Sequence, residues 1–177
     1  MKKKIITAIS LYYCYKSIMS LKGCNNFVAI SNVLKNITGE GDNKLDTIDG
    51  VNIYYNPYSM LLLGYPDGIA FTINLGSPSI IVGRKFFGMS KDAQEFTIAH
   101  ELGHLYYRHV ADFTYPAKRE LKILKGEVLS IELEADAYAV KKIGRKRALN
   151  ALYEISKATG GIARKEVMLR IEHINKH

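Results

Sequence analysis

His100-Glu101-Leu102-Gly103-His104 sets two imidazoles four residues apart, with a carboxylate directly after the first. On a helix of 3.6 residues per turn such a pair is about 40° apart, so both rings leave one face and can grip a single cation. Glu101 then stands beside that cation, where a carboxylate can take the proton of a water whose pKa zinc lowers to about 7. The flanking residues Phe96, Ile98, Ala99 and Leu102 are apolar, and unpartnered polar groups in such a stretch cost several kcal/mol. His100 and His104 are therefore read as metal ligands and Glu101 as the general base.

A hydrolytic zinc site takes three protein ligands and keeps a fourth position open. Glu132-Leu133-Glu134-Ala135-Asp136 follows His104 on another predicted helix. Glu132 is the expected third ligand, and Glu134 reads as a solvated helix residue. Asp136, four residues after Glu132 and on its face, is expected to accept the free N–H of a ligating histidine, which fixes the tautomer and raises the ring's basicity. The three-histidine pattern HExxHxxGxxH is excluded, because the chain has Tyr107 and Val110 where glycine and histidine are required. His109 lies nine residues from His100, close to 180° around a continuous helix, and is expected to face solvent. Tyr106, Tyr107 and Tyr138 read as aromatic packing rather than as catalytic groups.

The stretch from Ile80 through Phe96-Thr97-Ile98-Ala99-His100-Glu101-Leu102-Gly103-His104 to Glu132-Leu133-Glu134-Ala135-Asp136-Ala137-Tyr138-Ala139 resembles the gluzincins, zinc metallopeptidases whose third ligand is a glutamate. Its E-x-x-A-D element is similar to that of the HtpX and CAAX-prenyl-protease-like peptidases. Its first helix is similar also to that of the ImmA/IrrE metallo-endopeptidase family, although Asp136 stands where asparagine is common there. The resemblance covers about residues 80–143. It implies one Zn2+ ion held by His100, His104 and Glu132, and a peptide or protein substrate hydrolysed with Glu101 as base. The ImmA/IrrE likeness implies a regulatory role on a DNA-binding repressor. A zinc-stabilised binding module without turnover is the alternative from another class.

The elements that must carry these residues show as changes of period. Short β-branched and aromatic runs at 51–55, 60–65, 69–74 and 79–82 are separated by the turn formers Asn56-Pro57, Pro66-Asp67-Gly68 and Gly76-Ser77-Pro78, and predict strands after a loop that begins at Gly39. Ser90 is a good N-cap with Asp92 in the first turn, and the helix it starts should reach about Val110. Leu121–Ile143 predicts one or two helices with Gly126 a break and Gly144 a C-cap, Arg145–Lys157 another, and Ala163–Asn175 a short charged last one. A further helix is expected over 27–37. The expected fold is α+β over a single domain, 1–177, and zincin-like: a small, mostly antiparallel sheet packed on the HExxH helix, with a helical C-terminal half. Substrate should lie extended along the sheet edge.

Composition narrows the setting. At 177 residues, 47% hydrophobic and 24% charged, the chain is neither disordered, collagenous nor a coiled coil. Cys14 and Cys24 leave the remainder without a thiol, which excludes a cysteine-based zinc finger or a disulfide framework and suits the cytoplasm. The net charge of +8 favours acidic partners without indicating a fold. Five of its cations lie in Lys141–Arg147, where a solvated helix end is the expected role; nucleic-acid or anionic-membrane contact is less favoured, since no aromatics interleave. Residues 1–24 combine Lys2–Lys4 with an apolar run at 5–15, too short for the roughly 20 residues of a membrane span. They read as an amphipathic helix, with an exported or membrane-anchored chain the alternative.

Overall fold

The computed structural model describes residues 43–56, 68–74, 78–109 and 115–176. The expected helices at 1–24 and 27–37 and the expected strand at 60–65 lie outside the described residues.

The first element is a strand where a loop was expected. β1 (Asn43–Ile48) and β2 (Val51–Tyr55) form a hairpin in which Ile48 faces Val51. Asp49 and Gly50 both take positive φ, 51° and 77°, the conformation of the two-residue turn whose twist matches that of the flanking strands. β1 escaped notice because it lies at the edge of the sheet and is exposed along Lys44–Thr47, so no buried face imposes an apolar alternation on it. The register shift between Lys44 and Asp46 and the charges at those positions blunt the open edge.

β3 (Ala70–Asn74) and β4 (Pro78–Val82) pair antiparallel, and the sheet order is β1-β2-β4-β3. Because β4 inserts between β2 and β3, its pairing with β2 is parallel. The sheet is thus mixed, with two antiparallel pairings and one parallel. Val51, Ile53, Ile80 and Val82 are buried with Phe86 of the short helix α1 (Arg84–Phe87) and with Ile98 and Leu102 of α2 (Lys91–Tyr106).

Ser90 caps α2 as its sequence predicts, with its Oγ accepting from the Ala93 amide at 3.3 Å. The C-terminal half is helical: α3 (Tyr115–Leu124), α4 (Ser130–Ile143), α5 (Arg145–Ala158) and α6 (Gly161–Lys176). Gly126 and Gly144, with φ of 78° and 87°, separate α3 from α4 and α4 from α5, since only glycine reaches this region without a Cβ clash. Ala93, Phe96 and Ala99 of α2 join Ala139, Ala151, Leu152, Val167 and Ile171 in a second core. α2 therefore lies between sheet and helices and is buried on both sides, as an apolar helix must be. Among the described residues, no helix is long and apolar enough to cross a membrane.

The approach of α4 to α2 is made at Gly103. A Cβ there would lie 2.9 Å from Ala135 Cα and 3.1 Å from both Ala135 O and Tyr138 Cβ, so backbone rather than a flexible side chain would have to yield. Gly103→Ala gains about 1 kcal/mol in helix propensity but overpacks the contact, at a cost of about 1–3 kcal/mol or more. A net loss in urea unfolding is expected. Unchanged stability would show that the close approach is unnecessary.

Candidate metal centre

α2 delivers His100 and His104 from one face, and α4 delivers Glu132 from its first turn. His100 Nε2 and His104 Nε2 are 3.1 Å apart. Glu132 lies across them, Oε2 at 3.4 Å from His100 Nε2 and Oε1 at 3.6 Å from His104 Nε2. Among the described residues these three form a group able to hold a metal ion. A tetrahedral ion about 2.0–2.1 Å from each N or O donor holds its donors about 3.3 Å apart. The Nε2–Nε2 separation and the nearest carboxylate contact of each ring lie around that value, and the three residues could hold a single metal ion. His100 and Glu132 are buried, which such a charged group tolerates only when paired or coordinating.

Burial opposes protonation of His100 and Arg170 adds to that, yet its contacts with Asp136 and Glu132 outweigh both and push it up to about 9. Burial and the neighbouring His100 pull His104 down to about 3. Burial works against the Glu132 charge, but His100 and Arg170 hold the carboxyl well below the usual range.

Asp136 is 1% exposed, and its Oδ1 lies 2.9 Å from His100 Nδ1. A carboxylate only accepts, so His100 Nδ1 carries a proton, and Nε2 is the nitrogen left to ligate once it gives up its own. Arg170 of α6 was not anticipated. Its Nε donates to Asp136 Oδ2 at 2.7 Å, its Nη2 donates to Oδ1, and its Nη1 is 3.9 Å from Glu132 Oε2. Arg170 Nη2 also lies 3.2 Å from His100 Nδ1, but both are donors and meet only because they share Asp136 Oδ1. Burial opposes the Asp136 charge, and Arg170 and His100 pull its pKa down against that. α6 is thus more than a short charged terminal helix: it buries Arg170 and also Glu166, which takes two hydrogen bonds from Arg119 of α3.

Glu101 is buried beside the donor set without belonging to it. Burial pushes its carboxyl up, and the Glu132 charge adds to the rise. Thr72 on β3 faces it, with Oγ1 2.6 Å from Glu101 Oε2 and 3.1 Å from the Glu101 carbonyl. A hydroxyl has one proton to give, and the shorter contact to the charged oxygen takes it. The edge strand is thereby tied to the carboxylate.

Two expectations about the end of α2 are corrected. The helix stops at Tyr106 rather than near Val110. The Arg108 amide donates to Leu105 O at 3.1 Å and the His109 amide to His104 O at 2.9 Å, with Arg108 at φ 54°, which is the Schellman arrangement with arginine where glycine is usual. The second correction follows from the first. Because the chain turns back at Arg108, the His109 side chain is 8% exposed instead of facing solvent. Its Nδ1 lies 2.9 Å from His104 Nδ1 and its Nε2 3.1 Å from Glu134 Oε2. Tyr106 and Tyr107 are exposed, with ring centroids 5.3 and 6.4 Å from that of Tyr138.

Three of the five cations in Lys141–Arg147 meet the chain itself. Lys142 Nζ is 3.2 Å from Asp49 Oδ2, Arg145 Nη2 donates to Asn175 O at 2.8 Å, and Arg147 Nε donates to Asp92 Oδ1 at 2.8 Å.

No protein-family model, no curated protein and no solved structure matches the chain.

Proposed function

We propose that the chain is a zinc metallopeptidase with a zincin-like fold, of the gluzincin kind that its motifs resemble. The observation that carries the reading is the convergence of His100 Nε2 and His104 Nε2, 3.1 Å apart, with the Glu132 carboxylate, whose Oε2 lies 3.4 Å from the first ring and Oε1 3.6 Å from the second, beside a carboxylate that is no part of the group. His100, His104 and Glu132 would hold the ion. Bound there, zinc supplies Lewis acidity, polarising a peptide carbonyl and lowering the pKa of water to about 7.

The chain's own groups supply the rest. Asp136 keeps the His100 proton on Nδ1, leaving Nε2 free to ligate. The Thr72 hydroxyl occupies Glu101 Oε2, which leaves Oε1 to accept the proton of the attacking water and pass it to the leaving amine. Among the described residues β3 pairs only with β4. This edge strand, whose Thr72 reaches Glu101, can take an extended peptide as an added strand.

Purified full-length chain should contain one equivalent of zinc by elemental analysis and cleave unfolded protein substrates. A chelator should abolish cleavage and zinc restore it. Free zinc at about 1,000 times its Kd should raise unfolding stability by about 4 kcal/mol over the chelated protein. Protein that carries no zinc, or whose stability and cleavage do not respond to chelation, would overturn the reading.

A further inference from the structure

The proposed reaction gives His109 and Glu134 no part, yet they stand directly behind a ligating ring. We infer that His109 is a positioning residue which, oriented by Glu134, holds the proton of His104 on Nδ1 and so keeps its Nε2 lone pair turned to the ion site. The inference rests on the reading of His100, His104 and Glu132 as one metal centre.

With His109 neutral, the order of donors along this chain of contacts is set from its outer end. Glu134, with its side chain 52% exposed, presents a carboxylate that can only accept. His109 Nε2, 3.1 Å from Glu134 Oε2, therefore carries the ring proton. A singly protonated imidazole then offers Nδ1 as an acceptor, and the atom 2.9 Å from it is His104 Nδ1. Against a neutral His109 ring, His104 donates through Nδ1, which leaves Nε2 bare, 3.1 Å from His100 Nε2. The reverse order would aim the His109 lone pair at a carboxylate and put a proton on His104 Nε2, facing the other donors. Both ligating rings are thus held from behind, His100 by Asp136 and His104 by His109.

The backbone supports a specific purpose for this contact. Arg108 takes φ 54° with a side chain attached, a conformation that costs an L-residue roughly 1–2 kcal/mol. Strain of this kind persists where the surroundings impose it, and it gathers at functional sites. Here the residue in the strained conformation is the one that turns His109 back over the end of α2. The Tyr107 ring stacks on it, with centroids 5.6 Å apart and planes 21° from parallel.

The test is zinc affinity by chelator competition on full-length protein, with His104→Ala as control, together with the ring tautomers of the zinc-free protein by long-range 1H–15N spectra. His109→Phe keeps the stacked ring but removes the acceptor, and should lower zinc affinity about 10–100-fold. His109→Gln, whose amide oxygen can accept from His104 Nδ1, should recover most of that loss. In zinc-free wild type His104 should carry its proton on Nδ1, and in His109→Phe the Nε2–H form should appear. If wild type binds zinc, His104→Ala loses it and His109→Phe binds within about twofold of wild type rather than showing the expected loss, this inference falls while the metal centre stands. If wild type binds no zinc, or His104→Ala binds as wild type does, the metal centre falls and takes the inference with it. Should His109→Phe not fold, the wild-type tautomer decides, and an Nε2–H ring at His104 overturns the inference.

Discussion

Glu101→Gln is expected to lower peptide turnover by about 10²–10⁴-fold, the span attributed to a positioned general base, while zinc remains bound. The amide matches the carboxylate in volume, so the buried position facing Thr72 of β3 is filled and no cavity opens. Its oxygen can still accept from Thr72, which now reaches Glu101 Oε2 at 2.6 Å. What is lost is the capacity to take a proton. Glu101 is not among the three donors, so zinc stoichiometry should match wild type, in contrast to Glu132→Gln, which removes a ligand and should lose the ion. Turnover should therefore be measured beside elemental analysis on the same preparation. Undiminished turnover would remove Glu101 as base; zinc loss would show that the carboxylate holds the centre together.

The centre was legible where chemistry and period coincide, and hidden where a partner is chosen by tertiary packing. His100, Glu101 and His104 occupy one turn of a helix, and Glu132 and Asp136 share a face of another, so residue type and spacing alone gather them. Arg170 comes from a helix 34 residues beyond Asp136, and nothing local separates it from neighbouring surface cations such as Arg164 and Lys165. Its signal, had it been sought, was that a buried aspartate needs a cation. His109 was misplaced for a backbone reason. Helices that end in this way usually announce it with glycine, and arginine at 108 removed the sign. For β1 the signal was present: Asp49-Gly50 directly before Val51 is a strong hairpin marker. It was outweighed because the strand itself, with both charges and Leu45 exposed, lacks the alternation by which a half-buried strand is found.

Arg170→Met should cost about 3–5 kcal/mol of stability, the penalty for leaving a buried charge without its partner. Asp136 is 1% exposed, and without Arg170 its remaining hydrogen-bond partner among the described residues is His100 Nδ1. Such a loss is a large part of the roughly 5–15 kcal/mol by which domains are stable. Adding Asp136→Leu removes the stranded charge, and an apolar replacement of a buried ion pair is often neutral or stabilising, so the double variant should regain much of the loss in urea unfolding. Zinc affinity should not follow. One positive and one negative charge have been deleted together, which leaves the net charge near the ion unchanged, but His100 Nδ1 has lost its acceptor. Affinity should therefore remain about 10–100-fold below wild type. The two residues touch, so their effects will not add, and only the complete cycle separates the terms. Recovery of stability without recovery of affinity assigns the pair to orientation of His100; recovery of both would make it packing alone, replaceable by any residues that fill the space.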